Sequence, residues 1–273
     1  YGDEINNMVS SIKYEIIARK GEYILFDKAV GNMVTRTLFQ LPTKMGKGVL
    51  VTPTVDGNLL MGPTSLDIED KANVETTEEG LNSILQKAKL MVKEIPTKQI
   101  ITSFAGLRAH EVNGDFIIGE AEDAKNFINA IGIESPGLTS APAIGEYITN
   151  IVVEKLKPEK KENFNAIRKA MPKFRELSNE KRKELIKKDP AFGRIVCRCE
   201  TITEGEIRNA IRRPLGAKTI DGIKRRTRAG MGRCQSGFCL NRVVDILSDE
   251  LNISRRQVTK FGNDSKLLMD KGQ

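Results

Sequence analysis

Apolar and polar positions change period several times along the 273 residues of the chain. Lys20–Phe26 and Thr35–Leu41 alternate β-branched or aromatic residues with polar ones, the period of a strand with one buried face. Gly48–Gly62 sets Val55-Asp56-Gly57-Asn58 between two apolar arms, which predicts a hairpin. From Thr76 to Ile95 the period lengthens. Leu81, Ile84, Leu85, Ala88 and Val92 then fall on one helical face, Thr77 can cap it, and Glu78 and Glu79 suit its positive end. Strand periods return at Gln99–Phe104, Asp115–Gly119 and Phe127–Ile133, with Ala105-Gly106-Leu107 read as a turn after the first of them. Thr139 or Ser140 opens a helix over Ala141–Leu156.

The texture then changes. Residues 154–193 alternate Lys and Glu with scattered apolar positions, broken by Pro158, Pro172 and Pro190, and read as a linker of short helices. Beyond them the chain is mostly helical, with amphipathic stretches at Glu204–Ile211 and Leu240–Leu251 and a short last helix at Ser254–Lys260. The pattern predicts an α+β protein: a mixed sheet with helices over residues 1–153, a helical linker over 154–193, and a small helical domain over 194–273.

Charge alters this picture little. The net charge is +8, but Lys and Arg number 14 against 7 Asp and Glu between Glu154 and Arg194, so much of the excess lies in the linker. That stretch has few aromatic residues on which bases could stack, so nucleic-acid binding is not expected. Apolar runs such as Ile151–Val153 are far too short for a membrane span. Tyr1-Gly2-Asp3-Glu4 is neither an initiator methionine nor the basic start of an export signal, so a fragment or a processed chain is expected.

Cysteine alters it more. Cys197, Cys199, Cys234 and Cys239 are the only cysteines, all in the last third of the chain. A disulfide framework would staple a small secreted domain rather than gather at one end of a larger one, so a metal site in a reducing cytoplasm is the better reading. The order is C-x-C, a long gap, then C-x4-C. In an extended strand Cys197 and Cys199 would present their sulfurs to one side. Gly230-Met231-Gly232-Arg233 gives the backbone freedom to turn N–H groups toward sulfur, and a helix start near Cys239 favours its thiolate. Arg198, Arg225, Arg226, Arg228 and Arg233 would offset an anionic group. Structural zinc more often uses C-x2–4-C pairs, so a four-thiolate 2Fe–2S cluster is favoured, with zinc and unligated thiols as the alternatives.

Val196-Cys197-Arg198-Cys199-Glu200, Thr203-Glu204-Gly205-Glu206-Ile207 and the run from Lys224 to Cys239 together resemble the bacterioferritin-associated-ferredoxin-like 2Fe–2S domain. The resemblance implies a small helical fold whose cluster is held by the four cysteines.

Upstream, Ser103-Phe104-Ala105-Gly106-Leu107-Arg108 and the segment Gly132 to Gly145 are the sharpest stretches. The second is a strand, a glycine turn and a helix start, able to receive an anion or carbonyl but more often only a connection. With Thr52 to Asn58 and Gly62-Pro63-Thr64, these stretches resemble the C-terminal half of FAD-dependent oxidoreductases of the D-amino-acid-oxidase type, anaerobic glycerol-3-phosphate dehydrogenases among them. The resemblance implies flavin contacts from Gly132, Ile133, Glu134, Ser135, Pro136, Gly137, Leu138 and Thr139, and a substrate anion on Arg108, whose fork suits phosphate or carboxylate. The bland reading of Arg108 is a surface pair with a carboxylate such as Glu111, and His110 is read as structural or solvated. No catalytic base is identified.

The dinucleotide fingerprint G-x-G-x-x-G is missing, so the expectation is the C-terminal piece of a longer flavoenzyme, inactive alone and without tight FAD. The resemblance implies a cytoplasmic dehydrogenase oxidising glycerol 3-phosphate to dihydroxyacetone phosphate. Electrons would pass through the cluster to an acceptor subunit, which could hold the protein at the inner face of a membrane. Another small anionic substrate, an amino or hydroxy acid, or a non-catalytic electron-transfer module are the alternatives.

Overall fold

The structure, a computed structural model, describes residues 1–41 and 48–268. It comprises two units, Tyr1–Phe164 and Asn165–Gln273.

In chain order the first unit holds α1 (Gly2–Val9), β1 (Ile16–Phe26), β2 (Leu50–Pro53), β3 (Leu59–Gly62), β4 (Leu66–Ile68), α2 (Glu78–Ala88), β5 (Ile100–Glu111), β6 (Ile117–Glu120), β7 (Ile128–Ile131) and α3 (Gly137–Leu156). Strand β1 is central. β3 and β4 pair with its two ends along one edge, β5 runs the length of the other, and β2 pairs with β3; every one of these pairings is antiparallel. The β2–β3 hairpin turns at the predicted place, where Gly57 takes a φ of +88° that a side chain would oppose. Thr77 caps α2 by accepting from the Gly80 N–H, and Ile84 and Ala88 are buried from the predicted face. They meet Ile24, Phe26, Val51, Leu59 and Met61 from the sheet. Each large apolar side chain so buried contributes about 1.5–3 kcal/mol.

Two local expectations fail. Over Thr35–Leu41 there is no strand; Leu38 alone bridges Val51, one residue at the margin of the sheet. Ala105-Gly106-Leu107 is not a turn but the middle of β5, because those three residues pair with Glu22, Gly21 and Lys20 across the sheet. Cross-strand hydrogen bonds have taken the groups that a turn would have closed on itself.

The second unit contains α4 (Asn179–Lys188), β8 (Ile195–Cys197), β9 (Ile202–Thr203), α5 (Glu204–Arg212), α6 (Ile220–Thr227) and α7 (Leu240–Leu251). The last predicted helix is one short 3-10 turn, Arg255–Gln257. Thr203 and Glu206 form a reciprocal capping box at the start of α5. Ile207, Ile211, Ile223, Val243, Ile246 and Leu247 close the core between the helices. Phe174, Ala191 and Phe192, from the stretch read as linker, are buried in this unit. Phe192 lies against Gly205, and Glu206 accepts from the Phe174 N–H at 3.1 Å.

Candidate functional site

Two constellations carry chemistry, one in each unit. The first lies on one face of the β1–β5 pair. Residues directly opposite each other in an antiparallel pair share a face, so the pairs Ile17/His110, Arg19/Arg108, Gly21/Gly106 and Tyr23/Phe104 line up on one side. The other side, with Ile16, Ala18, Lys20, Glu22, Ile24 and Phe26, is buried.

On the open side Arg19 makes a bidentate bond to Asp67 of β4, at 2.7 and 3.0 Å. Asp67 is thereby held below the usual carboxylate range, chiefly by its hydrogen bonds to Arg19. His110 Nδ1 lies 2.7 Å from Glu134 Oε1, and Arg19 Nη1 lies 4.0 Å from the same oxygen. Arg108 is different. Its Nη2 donates to the Thr64 carbonyl at 3.0 Å and its Nε to the Arg19 carbonyl at 3.4 Å, and among the described residues no carboxylate pairs with it. The surface pairing with Glu111 does not occur. Glu111 points to the opposite face, is 3% exposed, and accepts instead from the Asn113 backbone and side chain at 2.7 and 2.9 Å. Arg108 is thus a half-buried guanidinium whose position is fixed by two carbonyls and which, among the described residues, makes no direct ion pair, although Asp67 feels its charge.

The segment Gly132–Thr139 leaves β7 through Gly132, at φ +69°, where a Cβ would come within 2.8 Å of the Glu111 Cβ. Glu134 turns back to the sheet through His110 and Arg19. Gly137 N–H donates to the Glu134 carbonyl at 2.5 Å, and α3 begins there, earlier than predicted. Ser135, Pro136, Leu138 and Thr139 stay exposed, Leu138 at 93%. The tip at Ser135–Thr139 is thus largely exposed while its base is joined to the sheet through the Glu134 side chain.

The second constellation is the cysteine tetrad. Strand β8 stops at Cys197, and Cys199 stands in the following turn, so the two are not presented by one strand as expected. The pairing instead crosses the gap. Cys199 Sγ lies 3.6 Å from Cys234 Sγ, and Cys197 is hydrogen-bonded to Cys239, the N-cap residue of α7. The first pair is the more exposed and the second is buried. Two thiolates on one tetrahedral metal, with metal–sulfur bonds of about 2.3 Å, stand roughly 3.7 Å apart. Among the described residues, no three or more His, Cys, Asp or Glu side chains converge on one ion. The two pairs lie close enough to feel each other's charge, Cys239 that of Cys234 and Cys199 that of Cys197. Around the inner pair, the Cys239 thiol, the Gly230 N–H at 3.5 Å and the Glu200 N–H all point to Cys197, bringing its thiol down to about 6. The same shared hydrogen bond and burial push Cys239 up.

Gly232 is where it must be: a Cβ there would overlap the Cys199 side chain. Of the five arginines expected to offset an anionic group, Arg228 is bound to the buried Glu200, Arg226 to the Gly222 and Leu215 carbonyls, and Arg225 faces Asp221. Arg198 and Arg233, next in sequence to Cys199 and Cys234, are exposed. The sequence reading missed Arg19, Gly21, Tyr23, Asp67 and Glu200; only the cross-strand register and the closing of the second core bring them in.

Residues 1–151 match the family described as FAD dependent oxidoreductase, and residues 195–249 match the BFD-like [2Fe-2S] binding domain. The chain belongs to the FAD dependent oxidoreductases. A glycerol 3-phosphate dehydrogenase of Caloramator mitchellensis is 57% identical over 269 residues, which cover 98% of this chain and 56% of that relative. The structure of an L-alpha-glycerophosphate oxidase from Mycoplasma pneumoniae with FAD bound is similar at 34% identity and a TM-score of 0.53, covering 60% of this chain and 43% of that one. The glycerol-3-phosphate dehydrogenase of Bacillus halodurans, at 16% identity and a TM-score of 0.66, covers 93% of this chain and 57% of that one, and shows the same fold. The chain therefore spans about half the length of its relatives. No helix among the described residues is long and apolar enough to cross a membrane.

Proposed function

We propose that this chain is the substrate-facing and electron-exit part of an FAD-dependent dehydrogenase of glycerol 3-phosphate. The observation that carries the reading is Arg108: a guanidinium fixed by two carbonyls, in no direct ion pair among the described residues, on the open face of the sheet. Such a fork suits the phosphate end of a small substrate, and the named activities of the relatives at 57% and 34% identity supply the rest of the substrate. The exposed tip at Ser135–Thr139 would lie against the flavin ring, with Gly132 to Glu134 setting its position. FAD, when bound, supplies the acceptor for the hydride that leaves the substrate carbinol carbon, while the hydroxyl proton leaves separately to give dihydroxyacetone phosphate. The chain's own part is to hold the anion on Arg108 and to fix the loop through Glu134, His110 and Arg19.

Cys197 with Cys239 and Cys199 with Cys234 would hold a 2Fe–2S cluster, supported by the sulfur spacing and by the residues that match the BFD-like domain. That group supplies a one-electron carrier toward an acceptor subunit, in a cytoplasmic protein that such a subunit could hold at the inner membrane face. Anaerobically purified protein should contain iron and sulfide; stoichiometric zinc without iron after reconstitution would refute the cluster. For the substrate, Arg108→Ala in the full-length enzyme should lower kcat/KM for glycerol 3-phosphate roughly ten- to a hundred-fold, the loss of a charge-assisted bidentate contact worth about 1.5–3 kcal/mol. Arg108→Lys should recover part of it. Unchanged kinetics in Arg108→Ala would remove the anion site.

A further inference from the structure

We infer that Gly106 forms the floor of the slot that seats the substrate's carbon chain and sets the size of molecule this slot accepts, while its partner Gly21 is covered by Arg108 and Pro63. The inference rests on the reading of Arg108 as the anion seat and deepens it.

The two glycines lie directly opposite each other in the two longest strands, on the face that carries Arg108. A glycine inside a strand weakens it and leaves the backbone open to close approach, and two of them paired is a local gap in the side-chain cover. The two gaps differ. A Cβ on Gly21 would fall 3.0 Å from the Pro63 Cβ, 3.3 Å from Arg108 Nη2 and 3.3 Å from the Thr64 carbonyl oxygen. The space at Gly21 is therefore taken by Pro63 and by the guanidinium lying across it, and the two together explain its missing side chain. A Cβ on Gly106 would meet nothing within 4 Å, and Gly106 does not have a positive φ. Nothing in the fold of the described residues requires glycine at that position. The space above it is open among the described residues, and the proposal assigns it to the ligand.

The borders of that space define its chemistry. One step along the strands, Tyr23 and Phe104 stack with ring centroids 5.2 Å apart, and Phe104 is 44% exposed. One step the other way stand Arg108 and Arg19. From the aromatic pair to the arginine pair is four residues, about 13 Å of strand. The charges at the arginine end are accounted for. Asp67 is taken up by Arg19 and Glu134 by His110 and Arg19, which leaves Arg108 as the cation available to a ligand. A ligand laid in this slot has its anionic end on the fork and its carbon chain over Gly106, with the ring edges of Tyr23 and Phe104 limiting its length. A three-carbon phosphate fits that description.

The test uses the full-length enzyme with Gly106→Ala, Gly106→Val and Arg108→Ala. In each, KM and kcat for glycerol 3-phosphate, inhibition by inorganic phosphate, FAD content and melting temperature are measured. Inorganic phosphate reaches the fork without using the slot. Gly106→Val should raise KM for glycerol 3-phosphate at least tenfold and Gly106→Ala by a smaller factor. Inhibition by inorganic phosphate, FAD content and melting temperature should stay at the wild-type level in both. Arg108→Ala should weaken glycerol 3-phosphate and inorganic phosphate together. A wild-type KM in Gly106→Val overturns the slot, and loss of FAD from either glycine variant assigns the space to the flavin and also overturns it. Should the valine variant not fold, the alanine variant decides, since its methyl group has open space. If Arg108→Ala leaves both ligands unaffected, the anion seat itself is wrong, a result distinct from failure of the slot alone.

Discussion

The central strand is held from behind by a buried pair of charges, and cutting that pair is the most direct test of how the face that carries Arg108 is supported. Lys20 and Glu22 lie two residues apart on the buried face of β1, on either side of Gly21, with side chains 4% and 2% exposed. Lys20 Nζ stands 3.8 Å from Glu22 Oε1 and donates to the Glu75 carbonyl at 3.1 Å. Glu22 also accepts from the Thr77 N–H at 3.2 Å and the Thr77 hydroxyl at 3.0 Å, at the start of α2. Glu22→Ala leaves an ammonium buried with one carbonyl for company and strips Thr77 of its acceptor. Breaking a buried pair from one side costs about 3–5 kcal/mol, and the long separation here puts the loss near about 3 kcal/mol. Lys20→Met removes the ammonium but leaves Glu22 with both Thr77 donors at a helix N-terminus, so about 1 kcal/mol is expected. In the Lys20→Met background, Glu22→Ala should cost less than it does alone, giving a coupling of about 1–2 kcal/mol. The assay is native-state hydrogen exchange of the β1 amides in the four proteins of this cycle, which reports local opening without assuming that a multi-domain chain unfolds in one step. Additivity within about 0.5 kcal/mol would refute the coupling. A Glu22→Ala loss below about 1 kcal/mol would show that water reaches the pair.

Three further outcomes follow from the second unit. Gly232→Ala places a methyl group in the Cys199 side chain, so the purified variant should lose most of its iron and its visible absorbance while keeping its helical content by circular dichroism. Gly205→Ala drives a methyl group into the Phe192 ring; overpacking of about 1–3 kcal/mol exceeds the helix-propensity gain of about 1 kcal/mol, and the melting temperature of this unit should fall. Glu204, bonded first to Arg194 and then to Arg208 and Arg242, is held at about 2 against an ordinary 4.5. A carboxyl depressed on folding stabilises fully above its unfolded value, so this contribution is present above pH 4.5 and fades as pH falls toward 2. Linkage caps it at roughly 3 kcal/mol, and the half-exposed Arg194 and Arg242 bring it nearer about 1–2 kcal/mol. Amide exchange in α5 should separate wild type from Glu204→Gln at pH 7 and not at pH 2.

What could be read along the chain was whatever depends on near neighbours. The β2–β3 hairpin needs Asp56-Gly57 and its arms; α2 needs Thr77 and a stripe of apolar residues; α7 begins and ends at the predicted residues. The misreadings share a different cause. In β1 both faces carry charge, with Arg19 on the open side and Lys20 and Glu22 on the buried one, so alternation of apolar and polar residues does not reveal which side is inside. A buried ion pair defeats a rule that counts charges as exposed. Over Ala105-Gly106-Leu107 the small residues look like a turn, and only the eleven-residue strand β1 opposite them makes them the middle of a sheet. Long-range pairing overrode local preference, as it does wherever a strand has a strong partner.

The two sites divide along the same line. The cysteines were legible because thiols are rare and these are clustered, but their grouping was not: spacing suggests partners two residues apart, while the folded chain joins Cys199 to Cys234 and Cys197 to Cys239. That grouping follows from β8 ending at Cys197, which leaves the next cysteine on a turn and outside the buried pair. Arg108 was legible as an arginine just past a glycine, yet what supports the proposal of an anion seat there is the direct ion pair it lacks among the described residues. Glu111, its nearest acidic neighbour in sequence, is turned to the other face by strand geometry, and Asp67, its neighbour across the sheet, is already bound to Arg19. Gly21 completes the arrangement from a strand more than eighty residues earlier by having no side chain under the guanidinium. A charge becomes a binding group only after the fold has decided which of its potential partners are spoken for. That decision is made across strands, by register, and register is set by the whole sheet rather than by any stretch short enough to read as a motif.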